Sequence, residues 1–312
     1  MKNWKKWLST ALFALMIALL VWYIVSNRAE LGRLLTLDAS TIVWMLVLAL
    51  GGCVLNCVYH KLILDTHGVS LDLTDWMGVV FVANAMAYVL PLRMDLVFTA
   101  SYYKRTKGLA YVKSASMAAG NIVFSILFAL IQMFAALLIT GIMKGVWPGL
   151  LWLIWLIGAV GTALFLVMAL WFRDRMPAFL SRIRIVRDVV NGFCDLLCDR
   201  SLLWKLLCCL VANNILHLLL FMACFTGVGM TVTLDQALLY NSISRMMSLV
   251  AIVPGNIGIQ QGVMGVAGSL MGDVFDVGVM VSLLQSAALM AVYIVMGLLF
   301  AYPVWTRYSS RG

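Results

Sequence analysis

Apolar runs long enough to cross a bilayer recur along the whole chain, at residues 8–25, 41–64, 113–139, 150–172, 202–225 and 277–305. A helix of about 20 such residues spans roughly 30 Å of hydrocarbon. Composition agrees: of 312 residues, 64% are hydrophobic and only 11% charged, and the mean hydropathy is +1.02. Soluble domains do not carry that balance, and no polar stretch is long enough to form a separate catalytic domain. The chain therefore reads as an all-α polytopic membrane protein, one membrane domain over residues 1–312. Its net charge of +9 does not call for nucleic acid, because membrane proteins gather Lys and Arg on cytoplasmic loops. The basic, then apolar, N-terminus lacks a small-residue cleavage site after Tyr23 and reads as a retained first span.

Two further apolar stretches are broken by proline where the run is still apolar. Residues 76–90 stop at Pro91-Leu92-Arg93-Met94-Asp95, and a short run then leads to the basic cluster Lys104, Arg105, Lys107 and Lys113. Residues 235–253 meet Pro254-Gly255-Asn256-Ile257-Gly258, and residues 259–271 follow at once. Irregular backbone at membrane depth is tolerated only where it is buried in protein or lines a watery cavity. Both segments are therefore read as re-entrant helical hairpins, 76–106 and 235–271, with Pro91, Pro254, Gly255 and Gly258 at their tips. The positive-inside rule places Lys2, Lys5, Lys6 and the 104–113 cluster in the cytoplasm, and Asp273 and Asp276 outside. Six full spans and two hairpins, with both termini cytoplasmic, satisfy every charge cluster; eight spans is the alternative. Asp75 and Asp235 are placed as N-caps of the two hairpins.

This order divides the chain into an N-terminal helix and external loop (1–36), a first half (37–143), a linking span with an amphipathic cytoplasmic segment (144–200), and a second half (201–306). The halves match each other. Asn56-x-x-x-His60 and Asn213-x-x-x-His217 each precede an aspartate, then a proline-broken hairpin, then a long span. By the charge argument the first hairpin enters from inside and the second from outside. That is an inverted repeat, the arrangement with which transporters set a substrate site at the bilayer midplane.

Proline-tipped hairpins in two halves, the second carrying Pro254-Gly255-x-x-Gly258, resemble the flippase-like membrane domain of the lysylphosphatidylglycerol synthase family over residues 37–302. The resemblance implies a stand-alone lipid transporter of a bacterial or archaeal cytoplasmic membrane, without the family's aminoacyl-transferase domain or its activity. Charged pairs usual in the family are replaced here by Met94-Asp95, Gln260-Gln261 and Gly120-Asn121.

Ionisable groups within a membrane are costly, paired and functional as a rule. Arg93 is a candidate for bidentate contact with a lipid phosphate, with Asp95 orienting it; a structural ion pair holding the tip is the other reading. Arg245 lies about 15 Å along its helix from Asp235, as a headgroup contact or as an ion-pair partner of Asp95. Asn256, Gln260 and Gln261 flank the second tip, either meeting substrate or satisfying backbone freed by the break. Asn84 and Asn121 are candidates for a pathway, while Asn213, Asn214 and Gln285 suit interhelical hydrogen bonds. His60 and His217 suit a proton relay or helix–helix bonding, and Gly262-x-x-Gly265-x-x-Gly268 suits close packing.

No catalytic constellation, metal-ligand cluster or cofactor motif is found. Cys53/Cys57 and Cys194/Cys198 lack the CxxC spacing and read as packing residues. The expected function is binding and translocation of an anionic lipid, a phospholipid or a polyprenyl-phosphate glycolipid, at two opposed tips. The expected partners are that lipid and a membrane biosynthetic enzyme, with a homo-oligomer left open. The alternatives are a non-transporting accessory subunit of a cell-envelope lipid or polysaccharide biosynthesis complex, and a transferase using a lipid-linked donor.

Overall fold

Long apolar helices with no exposed sheet edge are what a bilayer permits, because backbone groups there must be satisfied within the segment. The structure, a computed structural model, describes residues 37–310 apart from 67, 69, 91–92, 176–193, 195–197, 250–253 and 257. Its elements in order are α1 (Ala39–Asp65), a π-turn (Thr74–Gly78) running into α2 (Val79–Val89), α3 (Met94–Lys107), α4 (Tyr111–Lys144) and α5 (Gly149–Arg175). Then follow α6 (Arg200–Gly227), α7 (Leu234–Leu249), a 3-10 turn (Pro254–Asn256), α8 (Ile259–Leu270) and α9 (Phe275–Ser310). Among the described residues there is no strand. Side-chain caps open two of the spans: the Asp38 carboxylate accepts from the Ser40 N–H, and that of Asp199 from the N–H groups of Ser201 and Leu202.

Five of these helices, α1, α4, α5, α6 and α9, are long and apolar enough to cross a membrane. They correspond to five of the six expected spans; the sixth, residues 8–25, lies outside the described residues, as does most of the expected amphipathic segment 173–200. The helices overrun their expected ends, because apolar periodicity marks the buried part of a helix and not the polar turns that cap it. α4 is longest before its loop, with 34 residues or about 50 Å of rise.

The core forms two clusters. One joins α1, α2, α4, α6, α7, α8 and α9, with Leu151 of α5, around Phe81, Phe221, Phe225 and Tyr240. The other joins α1 and α6 to the first broken pair around Tyr59, Tyr102, Tyr103 and Leu206. Of the three glycines expected to pack closely on α8, Gly265 faces the Phe275 ring and Gly268 the Tyr240 hydroxyl, whereas Gly262 faces open space. α5 packs on α4 through Leu151, Trp152 and Trp155, and the Trp155 indole N–H donates to the Leu130 carbonyl (3.0 Å), but only 6% of its apolar stretch is buried.

Each broken helix is fastened where it begins, and the fastenings correct two sequence expectations. Asp75 is not an N-cap. It sits inside the π-turn, 1% exposed, and its carboxylate is an ion-pair hub for Lys107 (2.6 Å) and Arg307 (3.3 Å) that also accepts from the Tyr102 hydroxyl (2.9 Å). Asp235 is not the cap either. α7 starts one residue earlier, and the Thr233 N–H and hydroxyl are bracketed by the Gln236 side chain. That earlier start turns Asp235, 3% exposed, toward α4, where it meets Lys144 (2.8 Å) and the Thr140 hydroxyl (2.8 Å). Burial alone would raise the Asp75 carboxyl, but bonds from Lys107, the Asp72 N–H and Tyr102 outweigh it and hold the group below its ordinary value. Burial likewise acts to raise Asp235, and Lys144, Thr233 and Thr140 bring it below its ordinary value.

The two fastenings lie at opposite ends of α4. Lys107 ends α3, in the turn that leads into α4 at Tyr111, and Lys144 ends α4. Each of these aspartates meets a basic residue near the end of a long helix: Asp75 meets Arg307 of α9, and Asp235 meets Lys144 of α4.

Candidate functional site

Between the two breaks lies a cavity of about 250 Å³, lined by α1, α2, α3, α4, α6, α7, α8 and α9. Its lining draws on both core clusters, with Tyr59, Cys209 and Leu210 from one and Leu289 and Tyr293 from the other.

The tips are built alike. Arg93 stands two residues after Pro91, and Asn256 two after Pro254. These two are the non-glycine residues with positive φ among the described residues, at 55° and 53°. A left-handed conformation costs a side-chain-bearing residue roughly 1–2 kcal/mol, so the surroundings must hold each one in place. At the first tip the Arg93 Nη1 donates to the Ser248 carbonyl (3.0 Å), across to α7, while Nη2 donates to Asp95 (3.3 Å). At the second tip the Asn256 amide donates to the Met247 carbonyl. Gly255 (φ 60°) and Gly258 (φ 90°) supply the remaining left-handed turns, which glycine adopts freely. The tips are thus tied directly to each other through Arg93 and the end of α7.

Most of the residues singled out from the sequence meet here. Arg93, Asp95 and Arg245 line the cavity, as do Asn256, Gln260 and Gly255, and so do Asn84 and Asn121. Gln261 does not; its side chain accepts from the Gly258 N–H (2.6 Å) and reaches Ser286 (3.4 Å), which satisfies backbone freed by the break. Gln260 bridges to Ser244 (3.3 Å) and Gln285 (3.2 Å). Gly258 lies outside the lining, the 3-10 turn begins at Pro254, and Pro91 falls outside the described residues.

The expected Arg245–Asp95 pair does not form. Asp95 is taken by Arg93, and Arg245 instead donates from Nη2 to the Asn213 side chain (2.7 Å). No carboxylate among the described residues lies within ion-pair distance of Arg245, and its Nε is buried with no partner. Asn213 in turn donates to the Gly52 carbonyl (2.7 Å), which ties α6 to α1, while His217 Nδ1 lies 2.9 Å from the Asn213 carbonyl one turn back on α6. His217 lines the cavity and His60 does not, so the two histidines do not share one relay site.

Several lining residues were missed. Asn241 and Ser244 precede Arg245 on its face of α7, Tyr88 lies one turn after Asn84, and Tyr293 lies two turns after Gln285. Their signal was legible as polar residues at i and i+4 within apolar helices, read along each helix in turn.

An all-helical membrane bundle with two broken helices meeting over a polar cavity defines the class. Residues 7–297 match the family described as the lysylphosphatidylglycerol synthase TM region, and the chain belongs to it. No curated protein and no solved structure matches the chain.

Proposed function

We propose that the protein binds an anionic lipid at the cavity and moves it between leaflets of a cytoplasmic membrane. One observation carries this reading. Arg245 brings an uncompensated positive charge to a polar cavity inside an apolar bundle, beside an arginine and a carboxylate already paired with each other. A buried charge without a partner is costly, and a phosphate is the anion a guanidinium fits best. The 250 Å³ volume suits a headgroup whose tails stay in lipid.

In this reading the two broken helices are re-entrant hairpins of an inverted repeat. The crossed fastenings at opposite ends of α4 support that arrangement, since two hairpins entering from one side would both be anchored at one end. The sequence carries no nucleotide-binding motif, and the movement proposed is downhill or ion-coupled.

The test is reconstitution into vesicles carrying fluorescent anionic lipid. Wild-type protein is expected to make the inner-leaflet label accessible, and Arg245→Gln to slow this at least tenfold. Equal rates for Arg245→Gln, wild type and empty vesicles sink the proposal. Single cysteines at positions 104 and 273, in a background free of native cysteine, are expected to label from opposite faces of the membrane. Labelling from one face refutes the inverted arrangement.

A second reading, a non-transporting subunit that holds a membrane biosynthetic enzyme or a further copy of the chain, is favoured by α5. Beyond its contact with α4, most of its surface is left uncovered by the other described helices. Stoichiometric co-purification that is lost when α5 is altered, with no lipid movement in vesicles, supports it.

A further inference from the structure

We infer that Asp273 is a proton-binding site, separate from the cavity, and that a proton held there draws the turn after α8 onto the start of α7. The site stands on its own geometry; its consequence for lipid movement rests on the reading above.

The two fastenings differ in their charge balance. At the first, two carboxylates, Asp72 and Asp75, meet two cations, Lys107 and Arg307. At the second, Asp235 has a neighbour of its own sign. Asp273 lies in the turn between α8 and α9, and Gln236, next to Asp235 on α7, donates to its Oδ1. The cation bearing on both carboxylates is Lys144 of α4, and it is bonded to Asp235 at 2.8 Å. α8 carries no charged residue, α6 meets this end of α7 through Phe221 and Phe225, and Asp276 at the start of α9 is exposed. Among the described residues, two carboxylates thus share one cation, and a single proton makes up the difference.

A second observation says where that proton sits. Asp273 Oδ2 is buried without a partner, and so is the hydroxyl of Tyr240, a residue 1% exposed. A Cβ built on Gly268 would run into that hydroxyl and come within 3.5 Å of Asp273 Cβ; one on Gly278 would lie 2.9 Å from the hydroxyl. The tyrosine hydroxyl and the aspartate side chain therefore flank one point over Gly268. An ionised carboxylate only accepts, whereas its protonated form gains an O–H to donate, and the tyrosine oxygen can receive it. Burial pushes the Asp273 carboxyl above its ordinary 3.8 and Asp235 adds to this, while Gln236 and Lys144 act against it. A hard metal cation asks for about six or more oxygen ligands, and this site offers two free ones beside an ammonium.

The same three helices run on into the cavity. Ser244 lies one turn beyond Tyr240 on α7, Gln285 two turns beyond Gly278 on α9, and Gln260 two turns before Gly268 on α8. All three line the cavity, and Gln260 is bonded to both of the others. A bond from protonated Asp273 to Tyr240 closes these helices at one end, and loss of the proton frees the second broken helix to move.

Asp273→Asn mimics the protonated form, since its amide keeps an acceptor for Gln236 and adds a donor. Between 3.8 and the raised folded value the native state holds more protons than the unfolded one, so stability falls as pH rises. Above the folded value the cost of the carboxylate is complete. Purified Asp273→Asn in detergent is therefore expected to unfold at a higher temperature than wild type at about pH 8, with the gap narrowing on acidification. An infrared carbonyl band titrating above the ordinary carboxylate range is expected in wild type and is absent from Asp273→Asn. In Tyr240→Phe, which keeps the ring and removes the acceptor, that band appears at lower pH. In vesicles, lipid movement is expected to slow as pH falls on the Asp273 side, and to be slow at every pH in Asp273→Asn.

A midpoint for Asp273→Asn at or below that of wild type at about pH 8 overturns the inference, as does a carbonyl band that survives this substitution. A response to sodium at fixed pH that disappears in Asp273→Asn also overturns it, making the site one for a metal ion. Movement indifferent to pH in wild type refutes the consequence for transport and leaves the lipid reading intact. Lipid movement absent from every protein, with midpoint and band as expected, leaves the proton site standing and removes the transport reading.

Discussion

Replacing Asp75 by Asn tests whether the hub at the first broken helix holds the bundle together. The change is nearly isosteric and leaves an acceptor for the Tyr102 hydroxyl, so what it removes is charge. Asp75 is 1% exposed and Lys107 only 14% exposed, and they meet at 2.6 Å. Removing one member of such a pair leaves the other charge buried, at about 3–5 kcal/mol. Arg307 is 40% exposed and turns to Asp72 instead, so its loss adds under about 1 kcal/mol. A change near the low end, about 3 kcal/mol, lowers the midpoint of thermal unfolding by roughly 6–12 °C for a domain of a few hundred residues. The control is Lys61→Ala. That residue also has a close ion pair, 2.7 Å to Asp65, but the two side chains are 38% and 43% exposed, which makes the pair worth about 0.5 kcal/mol or less. Thermal unfolding of purified protein in detergent, followed by fluorescence, reads both. Asp75→Leu combined with Lys107→Leu, which leaves no orphaned charge, is expected to be more stable than Asp75→Asn. A midpoint for Asp75→Asn within about 1 °C of Lys61→Ala refutes the reasoning.

The fastenings also have a pH signature. The Asp75 and Asp235 carboxyls lie below their ordinary 3.8 when folded, so each contributes its full stabilisation above 3.8 and loses it as pH falls through the folded value. Unfolding midpoints are therefore expected to be insensitive to these two groups from pH 5 to 8 and to drop only on acidification below about 4, a drop diminished in the double Leu variant. At the second tip, Asn256→Ala is expected to destabilise the protein by about 1 kcal/mol more than Asn256→Gly, because glycine accepts a φ of 53° and alanine does not. Unfolding of the two variants side by side checks this, and equal midpoints overturn it.

The sequence disclosed the fold through hydrophobic length. Five spans are present where apolar runs placed them, and prolines at 91 and 254 mark the breaks. The two tip residues could also be read, because Arg93 and Asn256 stand at the same offset from their prolines. Partner choice was the part that could not be read. Asp75 and Asp235 look like caps because an aspartate at the head of an apolar helix commonly is one. Which residue takes the cap depends on a one-residue shift in where the helix starts, and Thr233 with Gln236 settles that for α7. Likewise Asp95 had two arginines to choose from. Its pairing with Arg93 follows from the left-handed turn at the tip, which brings side chains two residues apart to within 3.3 Å. The spacing of Asn241 to Arg245 and of Tyr88 to Asn84 marks a shared helix face, but it does not say which neighbouring helix that face meets.

The crossed fastening has a consequence for how the protein is made. Chains enter the membrane in order of synthesis, N-terminal segments first. When the first broken helix emerges, Lys107 follows within the same segment and can neutralise Asp75 at once. The second broken helix finds Lys144 already waiting for Asp235. Arg307, in contrast, is translated after every other described partner, so the Asp72–Asp75–Arg307 cluster closes only when the last span is in place. The final helix thus latches onto one of the earliest, and a ribosome that stops short of it leaves a bundle whose entry hub is open on one side.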